Sequence, residues 1–108
     1  IMKAMIFAAG LGTRLRPLTN TRPKALIDIN GVPLLEIVIK RLTQAGVDEI
    51  IINVHHCADQ IAAFLQAQHN FGIRVELSYE ESLLDTGGGL KKAARFFDDG
   101  RPFLVHNV

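Results

Sequence analysis

The sequence has one cysteine, Cys57, so no internal disulfide can form, and a reducing compartment, the cytoplasm, is expected. No apolar run approaches the length of about 18 residues that a membrane-crossing helix needs, so no span is expected. The opening Ile1-Met2-Lys3 runs straight into strand-like sequence with no separate basic segment, long apolar stretch or cleavage site, and a signal peptide is not expected. Internal repeats and low-complexity linkers are also lacking, which argues against a repeat array or tethered domains. His55, His56 and Cys57 have no second Cys/His cluster to join. Adjacent strand residues point to opposite faces, so the three are not expected to chelate one ion. The net charge is only +1, so nothing global points to nucleic acid. The most informative absence is local. No Asp or Glu occurs in residues 1–27, although the chain has 11, while Lys3, Arg14, Arg16, Arg22 and Lys24 all fall there. Concentrated positive charge favours a small anionic ligand over a long polyanion.

What is present fits one domain. The 108 residues are 48% apolar and 21% charged, enough for a single core. MKAMIFAA reads as a buried central strand. Pro17 and Pro23 prevent one long helix from following it. LIDING predicts a short strand ending in an Asn30-Gly31 turn. From Pro33, taken as the first helical position, Leu34, Leu35, Val38, Leu42 and Ala45 share a face, with Glu36 four before Lys40 and Gly46 after the end. EIIINVHH is a second strand. DQIAAFLQAQ is a second helix with Ile61, Phe64 and Leu65 inward. IRVELSYE is a third strand, Gly87 to Phe97 a third helix, and PFLVHNV a fourth strand. This β-α-β-α-β-α-β order predicts an α/β fold, three-layer and Rossmann-like, with a mainly parallel sheet covered by helices on both faces. Ligands of such folds bind beyond the carboxyl ends of the strands, where Val108 is expected to lie.

Three motifs sit at that edge. Ala8-Ala9-Gly10-Leu11-Gly12-Thr13-Arg14 is a glycine-rich turn after the first strand, which lets backbone N–H groups approach a phosphate. Its spacing is not that of a P-loop, and Leu15 stands where a dinucleotide fingerprint needs glycine, so a nicotinamide-dependent oxidoreductase is a weak reading. The bland alternative is a tight turn in a solvated basic loop. In Arg22-Pro23-Lys24, the proline stiffens the chain before a lysine that can act as a point charge for phosphate, or merely sit exposed. Leu84-Asp85-Thr86-Gly87-Gly88-Gly89-Leu90 puts three glycines at a helix start. They suit close approach by a base or ribose, while Asp85 or Thr86 could simply cap the helix. Glu80-Glu81 is expected to be a solvated loop pair rather than a general base or metal ligand.

Together these motifs resemble the sugar-1-phosphate nucleotidyltransferase family, which carries G-x-G-T-R-L-x-P-x-T, then P-K, then a glycine-containing base loop. Here the stretches are Gly10 to Thr19, Pro23-Lys24 and the L-[DE]-T-G-G-G loop Leu84 to Gly89. That loop is nearest to the bacterial uridylyltransferases for N-acetylmuramic acid 1-phosphate, with mannose-1-phosphate guanylyltransferase-like proteins as neighbours. The resemblance implies a fold of the nucleotide-diphospho-sugar transferase type. It also implies transfer of a nucleotidyl group from a nucleoside triphosphate to a sugar 1-phosphate, with pyrophosphate leaving. By that analogy Gly10, Gly12 and Thr13 hold the phosphates, and Ala8, Ala9, Thr86, Gly87 and Gly88 line the base and ribose. Arg14 and Lys24 are the catalytic cations. The family's Mg²⁺ ligand is the Asp of an N-x-D at the end of the fourth strand. Asn107-Val108 fits the first two positions, so the expected metal ligand would follow Val108, with none inside the chain. The resemblance therefore predicts that residues 1–108 are the N-terminal nucleotide-binding part of a truncated catalytic domain, without the sugar-binding part and with little or no transferase activity alone. The alternative is a non-catalytic nucleotide- or anion-binding module. Expected partners are the two substrates, without nucleic acid or membrane, and a homo-oligomer is compatible with the sequence.

Overall fold

MKAMIF forms the strand β1 (Met2–Phe7), and Ala4, Met5 and Ile6 are completely buried. Burial of consecutive residues requires cover on both faces of the strand. A computed structural model of the chain describes residues 2–9, 16–55, 57–80, 88 and 102–108. Two short helical turns, Leu18–Asn20 and Lys24–Leu26, lead to a small antiparallel hairpin, β2 (Asp28–Ile29) and β3 (Val32–Pro33). Its turn residues Asn30 (φ 52°) and Gly31 (φ 83°) both take the left-handed conformation that a two-residue hairpin requires.

The expected strand thus continues into a return strand. Pro33 (φ −60°, ψ 144°) ends that strand and precedes the helix, rather than opening it. Helix α1 runs over Leu34–Gln44, and the N–H of Leu34 donates to the Ile27 carbonyl at 3.0 Å. Its buried stripe is Leu35, Val38, Ile39 and Leu42, with Leu34 half-buried and Ala45 exposed. Ile39 shares this face because residues 35, 38, 39 and 42 keep the i, i+3, i+4, i+7 spacing, and Ala45 falls off it because the helix ends at Gln44. The Glu36–Lys40 pair closes at 2.8 Å.

Gly46 (φ 101°) ends α1, its N–H donating to the Thr43 carbonyl at 3.0 Å. A Cβ added there would meet nothing within 4 Å, so only the left-handed backbone selects glycine. Gly46→Ala is expected to destabilise the fold by about 1 kcal/mol, lowering Tm by roughly 4–8 °C. An unchanged thermal melt would contradict this.

Strand β4 (Val47–Val54), helix α2 (Ala58–Ala67), strand β5 (Arg74–Tyr79) and strand β6 (Phe103–Asn107) complete the described elements. The four long strands form one parallel sheet in the order β5-β4-β1-β6, with Phe7 opposite Asn53 on one side and Asn107 on the other. Ala4, Ile6, Ile50, Ile52 and Val54 share one hydrophobic cluster with the inner residues of α1 and with Ile61 and Leu65 of α2. Phe64 packs on the edge of this cluster and against Phe71, ring centres 5.9 Å apart. Met5, Ile51 and Asn53 are buried on the opposite face. The predicted third helix lies outside the described residues except for Gly88, which is helical. No helix among the described residues is long and apolar enough to cross a membrane.

Candidate functional site

A helix returning between two parallel strands begins at their carboxyl edge, so the first turns of α1 and α2 both lie there. The segment after β1 is tied to each of them. Ala25 is buried in the cluster with α1, and the Gln60 side chain of α2 donates from Nε2 to the Thr21 carbonyl at 2.7 Å. The segment from Arg16 to Ile27 therefore lies across the edge where the sequence places the ligand.

Lys24 sits between two anchors. Pro23 is fully buried and Ala25 is 1% exposed, while the Lys24 side chain is exposed. Two further bonds fix its backbone, Leu26 N–H to the Pro23 carbonyl at 3.0 Å and Ile27 N–H to the Lys24 carbonyl at 3.1 Å. A rigid base thus carries a solvent-facing ammonium. Arg16 and Arg22 are also exposed. Among the described residues, no ion pair engages these three cations, whereas Lys3, Lys40 and Arg74 each meet a glutamate. Thr19, between Arg16 and Arg22 in the chain, is buried and helps to seat the segment.

Ala8 and Ala9, at the exit of β1, are 7% and 4% exposed. The Ala8 N–H donates to Asn53 Oδ1 at 2.6 Å, so its amide is engaged within the protein. Asn53 Nδ2 donates in turn to Glu80 Oε1 at 3.0 Å. Glu80 is only 4% exposed, which corrects the expectation of a solvated loop pair. It lies just past β5, where the parallel pairing continues through its N–H to the Val54 carbonyl at 2.9 Å and draws it inward. The signal missed in the sequence was Asn53, a polar residue interrupting the apolar run of β4 beside the exit of β1.

The structure brings Ala8 and Ala9 to the same edge as Lys24. Gly88 is half-buried in a helix. The candidates Gly10, Gly12, Thr13, Arg14, Thr86 and Gly87 lie outside the described residues, as do Glu81 and His56. His55 is part-buried, and its Nδ1 donates to the Glu80 carbonyl at 2.7 Å, which puts the ring proton on that nitrogen. Burial, and secondarily the Asp59 carboxylate, push the Cys57 thiol above its ordinary pKa, the opposite of an activated nucleophile. No group of three or more His, Cys, Asp or Glu among the described residues could hold a metal ion.

A family model described as nucleotidyl transferase matches residues 3–107. The chain is 44% identical over 108 residues to the N-acetylmuramate alpha-1-phosphate uridylyltransferase of Caulobacter vibrioides, covering 97% of this chain and 44% of that protein. It is 41% identical over 108 residues to a mannose-1-phosphate guanyltransferase of Gibberella zeae, covering 98% of this chain and 30% of that one. Among solved structures, HddC from Yersinia pseudotuberculosis complexed with GMP-PN matches with a TM-score of 0.86 at 32% identity, over 99% of this chain and 47% of that one. The chain thus spans less than half the length of each of these relatives. With the family model matching nearly the whole chain and the parallel sheet agreeing with the solved structure, the chain belongs to the nucleotidyl transferase family, with the fold of the nucleotide-diphospho-sugar transferases.

Proposed function

We propose that residues 1–108 form the nucleotide-binding part of an enzyme that joins a nucleoside triphosphate to a sugar 1-phosphate, giving a nucleoside diphosphate sugar and pyrophosphate. The observation that carries this reading is the set of exposed cations, Arg16, Arg22 and Lys24, on a braced segment at the carboxyl edge, without acidic partners among the described residues. In the reaction a sugar phosphate oxygen attacks the α-phosphorus, and negative charge moves onto the departing pyrophosphate. A cation held in place before the reaction stabilises that charge without reorganisation. Lys24 has the mounting such a role requires, and Arg14 is its proposed companion on the triphosphate. Gly10, Gly12 and Thr13 are the proposed phosphate turn, and Thr86, Gly87 and Gly88 the proposed floor under the base and ribose. The relatives are named for uridylyl and guanylyl transfer to different sugar phosphates, which supports the reaction class here rather than one base.

Mg²⁺ is proposed to arrive with the triphosphate. The described residues offer no donor cluster that fits it. The reduced thiol Cys57 suits a cytoplasmic setting.

The test is a thermal-shift panel of UTP, GTP, CTP, dTTP and ATP, each with Mg²⁺, on the 108-residue chain. At a ligand concentration of about 100 times Kd the stabilisation is about 2.7 kcal/mol, or a Tm rise on the order of 10 °C. One or more triphosphates are expected to produce it, and inorganic sulfate at equal ionic strength is not. No rise with any nucleotide would reject the reading. Binding without transfer to any sugar 1-phosphate, in a longer form with the length of the relatives, would favour the non-catalytic alternative.

A further inference from the structure

The basic segment contains two short turns, Leu18–Asn20 and Lys24–Leu26, and residues 21–23 join them without belonging to either. Arg22 stands in the middle of this joint. After it, Pro23 is fully buried. Before it, the Thr21 carbonyl accepts from Gln60 Nε2 at 2.7 Å, a bond between residues 39 apart in the sequence. That carbonyl belongs to the planar peptide group joining Thr21 to Arg22, so the Arg22 backbone is held on both sides. The holder is itself fixed. Gln60 lies in the first turn of α2, its N–H donates to the Cys57 carbonyl at 3.1 Å, and the next residue, Ile61, is fully buried. Thr21 is exposed, so water would satisfy its carbonyl as well, and the bond adds little net stability. What the bond adds is a fixed place. The Arg22 side chain is exposed, and among the described residues no ion pair engages it, not even with Asp59, the acid next to Gln60.

We propose that Arg22 is a further contact for the phosphate oxygens of the nucleotide, and that Gln60 is its positioning residue. This rests on the nucleotide reading above. Arg22 lies two residues before Lys24 on the same braced segment, and its guanidinium can grip two phosphate oxygens at once. A long side chain gives up much freedom when it binds. With its backbone fixed beforehand, less is left to lose, and binding tightens. Gln60 does not touch the nucleotide; it acts through the Thr21–Arg22 peptide group. Gln60→Met keeps the length and helix preference of the side chain and removes the donor. Arg22→Met keeps an apolar stem and removes the charge.

The experiment uses the triphosphate that gives the largest thermal shift in the panel, with Kd measured by calorimetry at a temperature where each variant is folded by circular dichroism. Arg22→Met is expected to weaken binding about tenfold, and Gln60→Met about three- to fivefold. The double variant Arg22→Met/Gln60→Met is expected to bind no more weakly than Arg22→Met alone, because Gln60 then has no guanidinium to place. A purely structural Gln60 would lower Tm in Gln60→Met and leave the Kd of the folded protein unchanged, which would overturn the proposal. Losses that multiply in the double variant would also overturn it, since Gln60 would then act elsewhere. Should Gln60→Met fail to fold, Gln60→Ala, with the highest helix preference, takes its place in the cycle. If the wild-type chain binds no triphosphate, the nucleotide reading fails and this role falls with it. If the wild type binds and Arg22→Met binds equally well, only the Arg22 contact and its positioning by Gln60 fail.

Discussion

Lys24→Ala is expected to lower kcat/KM for nucleotidyl transfer at least about tenfold, equivalent to about 1.4 kcal/mol of transition-state stabilisation. The measurement belongs in an active form with the length of the relatives, with nucleotide Kd of the 108-residue chain as a second readout. The expectation follows from the mounting of the side chain. Buried Pro23 and Ala25 fix the backbone on either side, so the ammonium is held near one place before any phosphate arrives. Lys24→Met keeps the stem and removes the charge, and it is expected to lose as much as the alanine variant. If Lys24→Met were close to wild type, the lysine would act through packing rather than charge. Arg14→Ala is expected to lose a comparable amount, since a guanidinium can hold two phosphate oxygens at once. Wild-type kinetics in both Lys24→Ala and Arg14→Ala would refute the phosphate clamp.

Ile52→Ala is expected to have the largest effect on stability. Ile52 is fully buried in β4, with Ile6 beside it on β1 and Leu77 on β5. Truncation removes buried methyl groups from a position where two flanking strands limit collapse, at a cost of about 2–5 kcal/mol. For a domain of this size that lowers Tm by roughly 10–20 °C. Ile52→Val provides a graded control, at about 1 kcal/mol. A Tm within about two degrees of wild type for the alanine variant would contradict a central strand, since a core loss of this kind normally shifts Tm several times further.

The strands were legible because parallel strands with two covered faces read as unbroken apolar runs, as in Ala4 to Ile6 and Ile50 to Ile52. The end of α1 was legible because Gly46 is one of the few residue types at ease with positive φ. The start of α1 was misplaced by one residue because proline serves equally before a helix and within its first turn. Only the pairing of Pro33 with Asp28 decides between them. The return strand β3 was missed because two residues carry no periodicity. At the proposed site, Lys24 stood out in the sequence by its place after Pro23, and Ala8 and Ala9 by their place in the turn after β1, while their roles come from the family resemblance. The burial of Glu80 was not, because it depends on Asn53 in another strand. A Glu-Glu pair gives no local sign of which member turns inward.

The sheet order has a consequence for how the molecule forms. β1 precedes the other described strands in the sequence, yet it ends between β4 and β6, and its pairing with β6 joins Phe7 to Asn107. Pairing across such a sequence distance closes the segment from Phe7 to Asn107 into one loop, a slow step compared with helix formation. During synthesis β1 can pair with β4 early, but its other edge stays open until β6 emerges. Completely buried Met5 and Ile6 lie along that edge. Strand β6 therefore acts as a late cover over a sticky seam, and a chain interrupted before Phe103 would carry that seam exposed to its neighbours.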